Sequence, residues 1–500
     1  MIKRSAIFVH RWLGVALCLF FLLWFPSGIG MMYWDFPGVS PGDRLDRSAA
    51  LDPSTIHVSP AEAYAVVGQS QPPAQVRLNT FDGRPVYRFG AGRGESLVYA
   101  DTGVRQAGAP NALAARVASA WVRQPADAAV VETLDDADQW TVQESFRTER
   151  PLSKYSWPNG EQVYVSQSSG EVVQYTTSSS RIGAYLGPIP HWIYFTPLRK
   201  NQLAWSRVII WSSGIGTCAA ILGIVIGVWM YSPSKRYRLG GAATSIPYRG
   251  QKRWHTVLGL IFGLGAVTWV FSGLLSMDPF PTGAATPTDI PQALRGRLEL
   301  AAFAARVPRE ALAQLPRLTV KELELTTFAG EPVYLATLGR GETRVVPLAG
   351  PPRAEFSRQG IVSIVKKACQ PRGLAEARVI DQYDLYYLDR HRQRPLPVVL
   401  VRVNDAEHTR YYIDPRTARV VGSYSSRNWM SRWLYHGLHS LDFPWLYNYR
   451  PLWDIVVITF MLGGTALCVT SLILAWRLVG SYFFAGGVQR AGLSAGPLSR

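Results

Sequence analysis

The stretch WLYHGLHSLDFPWLYNYRPLWDIVVITFMLGGTALCVTSLILAW (Trp433–Trp476) decides the fold. Its second half is about 20 apolar residues, long enough to cross a bilayer core of roughly 30 Å. Its first half is an aromatic approach that carries His436 and His439. A copy of the same text lies 248 positions earlier, as PHWIYFTPLRKNQLAWSRVIIWSSGIGT (Pro190–Thr217). His439 falls on His191, Trp453 on Trp205, Gly464 on Gly216 and Thr465 on Thr217, without a gap. The offset persists upstream, where Tyr412 falls on Tyr164 and Val420-Val421 on Val172-Val173. Two other apolar stretches match at an offset of 245: His255 with His10, Leu258-Gly259 with Leu13-Gly14, Trp269 with Trp24, and Ser272-Gly273 with Ser27-Gly28. The chain is two copies of one unit, and each copy has a histidine at each end of its apolar part.

Charge distribution decides what the composition means. A net charge of +17 in 500 residues suggests nucleic acid until the carboxylates are located. Residues 1–34, 172–277 and 455–500 contain no Asp or Glu, so the basic excess follows the apolar spans and is better read as topology. No nucleic-acid partner is expected. The 4 cysteines are too few for a disulfide framework, and Cys18, Cys218 and Cys468 lie inside apolar spans. No CxxCH exists for covalent haem attachment, and no paired CxxC exists for zinc or iron–sulfur. The N-terminus has the outline of a signal peptide but lacks a small-x-small cleavage site, so it reads as a retained helix.

Four spans are expected, at about 7–31, 205–231, 254–277 and 453–476, with no charge in their interiors. The short loop between the second and third carries Lys235, Arg236, Arg238, Arg249, Lys252 and Arg253. Lys3, Arg4 and Arg11 lie at the N-terminus, and Arg477, Arg490 and Arg500 in the tail. By the positive-inside rule both termini and the basic loop face the cytoplasm, and the two long connections face outward. The expected division is a first span (1–34), a first outer region (35–190), an interfacial segment with the second span (191–231) and a basic loop (232–253). A third span (254–277), a second outer region (278–435), an interfacial segment with the fourth span (436–476) and a tail (477–500) follow. The fold class is an α+β membrane protein, a four-helix bundle with two α+β outer regions.

Each outer region reads as two small units of a helix followed by strands. SPAEAYAVVG is a short helix with Ser59 as N-cap and Pro60 at its first position. In VRLNTFDGRPVYRFG, Asp82-Gly83 makes a hairpin turn, and LELTTFAGEPVYLAT repeats it in the second copy. QVYVSQSSGEVVQY and TRYYIDPRTARVVGSY are again strand, turn, strand. A helix followed by DGRPVYRF and a YIDPRTARVV hairpin resembles the PepSY module. Joined to HRWLG-type spans and YHGLHSLDFPWL, it resembles the PepSY-associated transmembrane family over essentially the whole chain. That resemblance implies a bacterial inner-membrane protein, and the family includes proteins implicated in haem binding and ferric-siderophore reduction.

The repeat gives the histidines their meaning. Copies that both begin on the same side are related by a pseudo-two-fold axis along the membrane normal, so equivalent residues sit at equal depth. His10 can meet His255 at the cytoplasmic edge, and His191 can meet His439 at the outer edge. Pairing His10 with His191 is excluded by about 30 Å of hydrocarbon. With the family resemblance, the four are expected to ligate the iron of two b-type haems. His10, Gly14, Trp24, Ser27 and Gly28 share one helical face, and His255, Gly259, Trp269, Ser272 and Gly273 repeat the set. Arg11, Arg253 and Lys252 are placed to meet propionates at the inner edge, and Arg199 or Arg432 at the outer one. His436 aligns with Pro188, so symmetry favours His439 as ligand and leaves His436 to contact a propionate or a substrate. A lone interfacial histidine is ordinarily an amphipathic anchor; two symmetry-related pairs are a different pattern. His57 and His408 read as surface residues, and His391 as a residue at a ligand site or, more simply, beside packed tyrosines. Gly223 and Gly227 read as close helix packing.

The expected function is an inner-membrane di-haem b electron-transfer protein. It would reduce an extracytoplasmic ferric complex, foremost a ferric siderophore, with electrons from an unidentified cytoplasmic donor or quinol. No general acid, base or nucleophile is implied, and catalytic residues are not assigned. The alternative is a haem-free PepSY scaffold that binds or restrains an extracytoplasmic partner such as a peptidase. A permease is the third reading, disfavoured by spans without charge.

Overall fold

The computed structural model describes residues 1–91, 94–279, 289–389 and 391–492. Parts of three expected regions lie outside these residues: 92–93 of the first outer region, 280–288 and 390 of the second, and 493–500 of the tail, including Arg500.

Among the described residues four helices are long and apolar enough to cross a membrane. They are α1 (Ile2–Gly30), α2 (Gln202–Met230), α3 (Gly250–Leu275) and α4 (Arg450–Gly492), the last apolar enough to span through Ser481. Each packs against its two neighbours in the cyclic order α1, α2, α3, α4. The matched helices α1 and α3 therefore stand diagonally opposite, as do α2 and α4. Both folded regions join the bundle at one end, the domain end; the N-terminus and the basic loop lie at the other. The basic loop folds back as a small hairpin of two three-residue strands, Tyr237–Leu239 and Ala242–Thr244.

One expectation about the spans is corrected. α4 starts at Arg450, three residues before the expected boundary, and Asp454 lies in its first turns. Arg450 pairs with Asp454 one turn on, at 3.1 Å, so the span does carry a carboxylate, neutralised where the helix enters the bilayer.

Outside the bundle, each sequence copy builds two sheets. Strands β1 (Gln75–Phe81), β2 (Arg84–Ala91) and β3 (Gly94–Tyr99) follow a helix at Pro60–Val67, and β4 (Val130–Leu134), β5 (Leu152–Ser156), β6 (Gln162–Ser166) and β7 (Val172–Thr176) follow one at Asn111–Val122. In the second copy β8 (Glu322–Phe328), β9 (Glu331–Gly339) and β10 (Glu342–Pro347) follow Pro308–Ala313. There β11 (Leu374–Ile380), β12 (Val398–Val403), β13 (Arg410–Asp414) and β14 (Arg419–Tyr424) follow Arg358–Ala368. Local chemistry explains these elements. Ser59 and Glu62 form a capping box on the first helix, with Pro60 at its start. Asp82 and Gly83 both take positive φ, 50° and 75°, the geometry of a two-residue hairpin turn, and Ala329 and Gly330 do the same at 55° and 88°.

The copies are also fused, which their separate texts do not announce. β1 pairs antiparallel with β8, with Val76 opposite Leu325 and Leu78 opposite Leu323, so two three-stranded units become one six-stranded sheet. One hydrophobic core runs beneath both halves and includes Tyr87, Phe89, Phe303 and Tyr334. The Tyr87 hydroxyl donates to the Val58 carbonyl at 2.8 Å, and Tyr334 to that of Arg306 at 2.6 Å, in matched positions. The four-stranded sheets are tied to this platform by buried charge. Arg88 meets Glu171 at 2.7 Å, and Arg419 meets Glu324 through both carboxylate oxygens.

Candidate histidine-pair sites at the two ends of the bundle

The domain-end site is set by how the chain re-enters the bundle after each four-stranded sheet. In the first copy a helix at Ser178–Leu186 ends at Gly187, and Pro188–Trp192 then turns His191 onto α1. Gly187 and Gly30 lie back to back: a β-carbon on Gly30 would stand 2.4 Å from the Leu186 carbonyl oxygen, which no side chain tolerates. Ile193 then takes φ 54°, rare for a β-branched residue, and reverses the chain. The second copy repeats the reversal at Leu441, φ 50°, two residues after His439. An indole fastens each reversal: Trp205 donates to the Trp192 carbonyl at 2.7 Å, and Trp453 to the Ser440 carbonyl at 3.1 Å.

The result brings His191 to His439 with ring centres 5.9 Å apart. At the opposite end His10 on α1 faces His255 on α3 at 6.2 Å. His10 and Ser27, which touches His191, are separated along α1 by about 25 Å, taking roughly 1.5 Å per residue. The four side chains thus form two pairs at two depths, and no cross-pairing occurs.

Each ring is oriented the same way. His10 Nδ1 lies 3.0 Å from the Ala219 carbonyl oxygen and His191 Nδ1 lies 3.1 Å from that of Trp24. His255 bonds the Leu467 carbonyl and stands 3.2 Å from the Thr470 hydroxyl. His439 bonds the Trp269 carbonyl, with the Ser272 hydroxyl 3.0 Å from Nδ1. Ser27 fills the matching place beside His191, at 3.2 Å. A carbonyl only accepts, so Nδ1 carries the proton in His10 and His191 and their Nε2 lone pairs are left for a metal. This is the arrangement by which an outer partner fixes a ligating histidine's tautomer. Burial pushes the His191 imidazole down to about 4 and His439 to about 3, the latter helped by the neighbouring His191. Both domain-end rings are therefore neutral, the form a metal requires.

Two imidazoles on opposite faces of one metal have centres about 6.2 Å apart, from a metal–nitrogen bond of about 2.0 Å and roughly 1.1 Å from nitrogen to ring centre. Both pairs match that spacing. Among the described residues no three His, Cys, Asp or Glu gather to hold a bare ion. The pairs suit a metal that brings its remaining ligands with it. The cleft at the domain-end pair has about 700 Å³ of space, its open mouth included, walled by Trp24, Phe25, Trp205 and Trp269. Arg199 and Arg432 are each more than nine-tenths buried, Arg199 against Trp205 of the cleft wall and Arg432 against Trp433, and each leaves one guanidinium nitrogen without a partner. Orphaned buried donors of this kind fit the carboxylates of a tetrapyrrole.

Other expected residues fall elsewhere. Arg11 is exposed and rests on Phe8, and Arg253 bonds Thr244 of the basic hairpin at 2.9 Å. Lys252 is exposed. His436 is half-exposed, 4.0 Å from Asp442 and outside the pair. His57 and His408 are exposed, and His391 lies 3.8 Å from Asp35. Gly227 faces Leu260 as helix packing requires, whereas Gly223 has a further role: a β-carbon there would stand 2.7 Å from His10 Cε1. Sequence reasoning gave no role to Ser27, Ser272 or Thr470, nor to the turn that holds Tyr435 5.5 Å from His439. The matched pair Ser27 and Ser272, on the same face as the histidines, was the available signal for two of them.

A match to the family described as the PepSY-associated TM region covers residues 8–288, more than half of the chain. The chain belongs to that family. The matched region of this PepSY-associated protein takes in α1, α2, α3 and the first folded region, and so includes His10, His191 and His255 but not His439. The partner of His191 is thus supplied by the internal repeat and the fold. No curated protein matches the chain.

Proposed function

We propose that this multi-pass membrane protein holds two b-type haems, one between His10 and His255 and one between His191 and His439, and serves as a transmembrane electron carrier. The observation that carries this reading is the repeated ring geometry: four imidazoles in two pairs at two depths, with ring centres 6.2 and 5.9 Å apart and each Nδ1 held by a carbonyl or a hydroxyl. When bound, haem supplies one-electron exchange at each depth, so that a ferric complex at the domain end, foremost a ferric siderophore, is reduced with electrons from the other end. The chain's own part is to fix the axial ligands, exclude water and limit access. The indoles and glycines do this at the domain end, and Arg199 and Arg432 offer donors to the carboxylates. Inner-membrane placement is what the family resemblance implies, and the charge asymmetry supports a topology with both termini and the basic loop in the cytoplasm. The electron donor is a cytoplasmic protein or quinol.

The test is optical. Detergent-purified protein made with adequate haem supply is expected to show a Soret band, sharp reduced α bands, and two haem equivalents by pyridine haemochrome. His10→Ala and His255→Ala should each lower the count to one and leave the other α band in place. A colourless protein, or both variants at full haem content, would sink the proposal.

A further inference from the structure

The six-stranded platform carries a pocket that no step of the proposed electron transfer uses. It lies at the edge where β10 is the last strand, and has about 620 Å³ of space, its open mouth included. Arg317, Arg344 and Arg353 line it, and no Asp or Glu does. Among the described residues none of the three arginines makes an ion pair. Arg344, half-buried, donates from Nη1 to the Thr343 carbonyl at 2.7 Å, and Arg317 and Arg353 are exposed. The acids closest in the chain are engaged elsewhere or stand outside. Glu310 accepts from the Val307 amide, Glu322 from the Asn79 side chain, and Glu355 pairs with Arg358 at 2.8 Å. Glu342 is exposed and lines no part of the pocket.

Both walls are held by backbone bonds, so the pocket is preformed. One wall is the turn after Pro308–Ala313, closed by the Leu315 amide on Leu312 and the Leu318 amide on Leu315, at 2.9 and 3.0 Å. The other is the segment returning at Arg353, which exchanges both backbone bonds with Val345 at 2.8 Å. Arg306 staples the intervening turn by donating to the carbonyls of Pro347 and Gly350. Pro316, Pro352 and the buried Leu315 add a rigid apolar lining. The first copy does not repeat this chemistry. Arg344 stands opposite Ala336 in the sheet, whereas the matched Ser96 stands opposite Phe89. A guanidinium beside a small residue thus replaces a hydroxyl beside a ring.

We infer that this pocket binds a small organic polyanion, one carrying at least two carboxylates on a short carbon frame. Guanidinium groups stay charged and take carboxylates bidentately. Three of them lining one pocket without an acid repel one another, and a ligand with two or more negative charges relieves that repulsion. The apolar lining suits a carbon frame, which a bare inorganic anion lacks. Gln314, also in the lining, offers an amide to a hydroxyl or a further carboxylate. The site shares no residue with the histidine pairs, so the inference stands apart from the haem proposal.

Isothermal titration of the detergent-purified full chain with citrate tests it, with acetate and inorganic phosphate as comparison anions at equal ionic strength. Citrate should bind, less tightly as salt is raised, and both comparison anions should bind at least about tenfold more weakly. Arg317→Gln and Arg353→Gln, at exposed positions, should each weaken citrate binding about tenfold, the loss of a charge-assisted hydrogen bond. Arg105→Gln, whose guanidinium lies 3.3 Å from the Ser96 hydroxyl in the first copy, is the control expected to bind as wild type. Saturating citrate should raise the thermal midpoint of the wild type and the control, and raise it less in the two variants. No citrate binding, wild-type affinity in both variants, or phosphate binding as tightly as citrate overturns the inference. Protein purified without haem should bind citrate equally well, which keeps the fate of this site separate from that of the electron carrier.

Discussion

Gly223 shows how narrowly the terminal-end pair is specified at the residue scale. The position is on α2, in contact range of His10 on α1, and any β-carbon would push into the imidazole at 2.7 Å. The ring cannot retreat without giving up its bond to the Ala219 carbonyl, 3.0 Å away. Gly223→Ala is therefore expected to lower haem content from two equivalents to one in the pyridine haemochrome assay, like His10→Ala. Gly227→Ala, one turn on, meets only the flexible end of Leu260 at 3.1 Å and should keep both. If the two variants behave alike, the glycine serves helix packing and nothing more. Sequence periodicity had given both glycines the same small-residue role; the difference lies in which helix each faces, and a helical pattern does not encode that.

At the scale of elements, the ion pairs between sheets carry the second prediction. Glu171 and Arg419 occupy matched positions 248 apart, yet they have opposite charge, and each finds its opposite on the six-stranded platform: Arg88 for one, Glu324 for the other. Glu324 is 8% exposed at its side chain. Removing its partner by Arg419→Ala leaves a buried carboxylate uncompensated, a cost of about 3 kcal/mol or more. Arg419→Met with Glu324→Met removes both charges and should recover most of that loss. Thermal unfolding of the folded regions followed by near-ultraviolet circular dichroism checks the order: wild type near the double variant, both well above Arg419→Ala. The strands themselves were legible in sequence, because turn residues such as Asp82-Gly83 act over a few positions. The β1–β8 pairing was not, since its partners are 243 to 249 positions apart and each strand reads as an ordinary edge. The π-helix at Met430–Gly437 was hidden for a related reason: its widened turn depends on Arg432 reaching Leu385 and Asp442.

For the whole molecule, what the repeat made legible was depth. Because each pair of stretches matches without a gap, one at an offset of 245 and the other at 248, each histidine's level followed from its position, and the fold adds only the facing of the rings. Direction is a separate matter, since a symmetric bundle with a site at each end has no inherent inside. The basic loop supplies it. Lys235, Arg236, Arg238, Arg249, Lys252 and Arg253 gather in one short connection, whereas the folded regions at the opposite end mix charges of both signs. Retention of such clusters in the cytoplasm orients a multi-pass chain. A green fluorescent protein fused after Arg500 in a bacterial inner membrane is expected to fluoresce. Alkaline phosphatase inserted between Ala349 and Gly350, an exposed loop of the distal sheet, is expected to be active. Replacing the six basic residues with glutamine should scramble both signals. The opposite pattern, a dark terminus with an inactive phosphatase, would put the His191–His439 pair on the cytoplasmic side. The acceptor would then have to be an intracellular chelate, so orientation alone decides whether such a carrier exports electrons or draws them in.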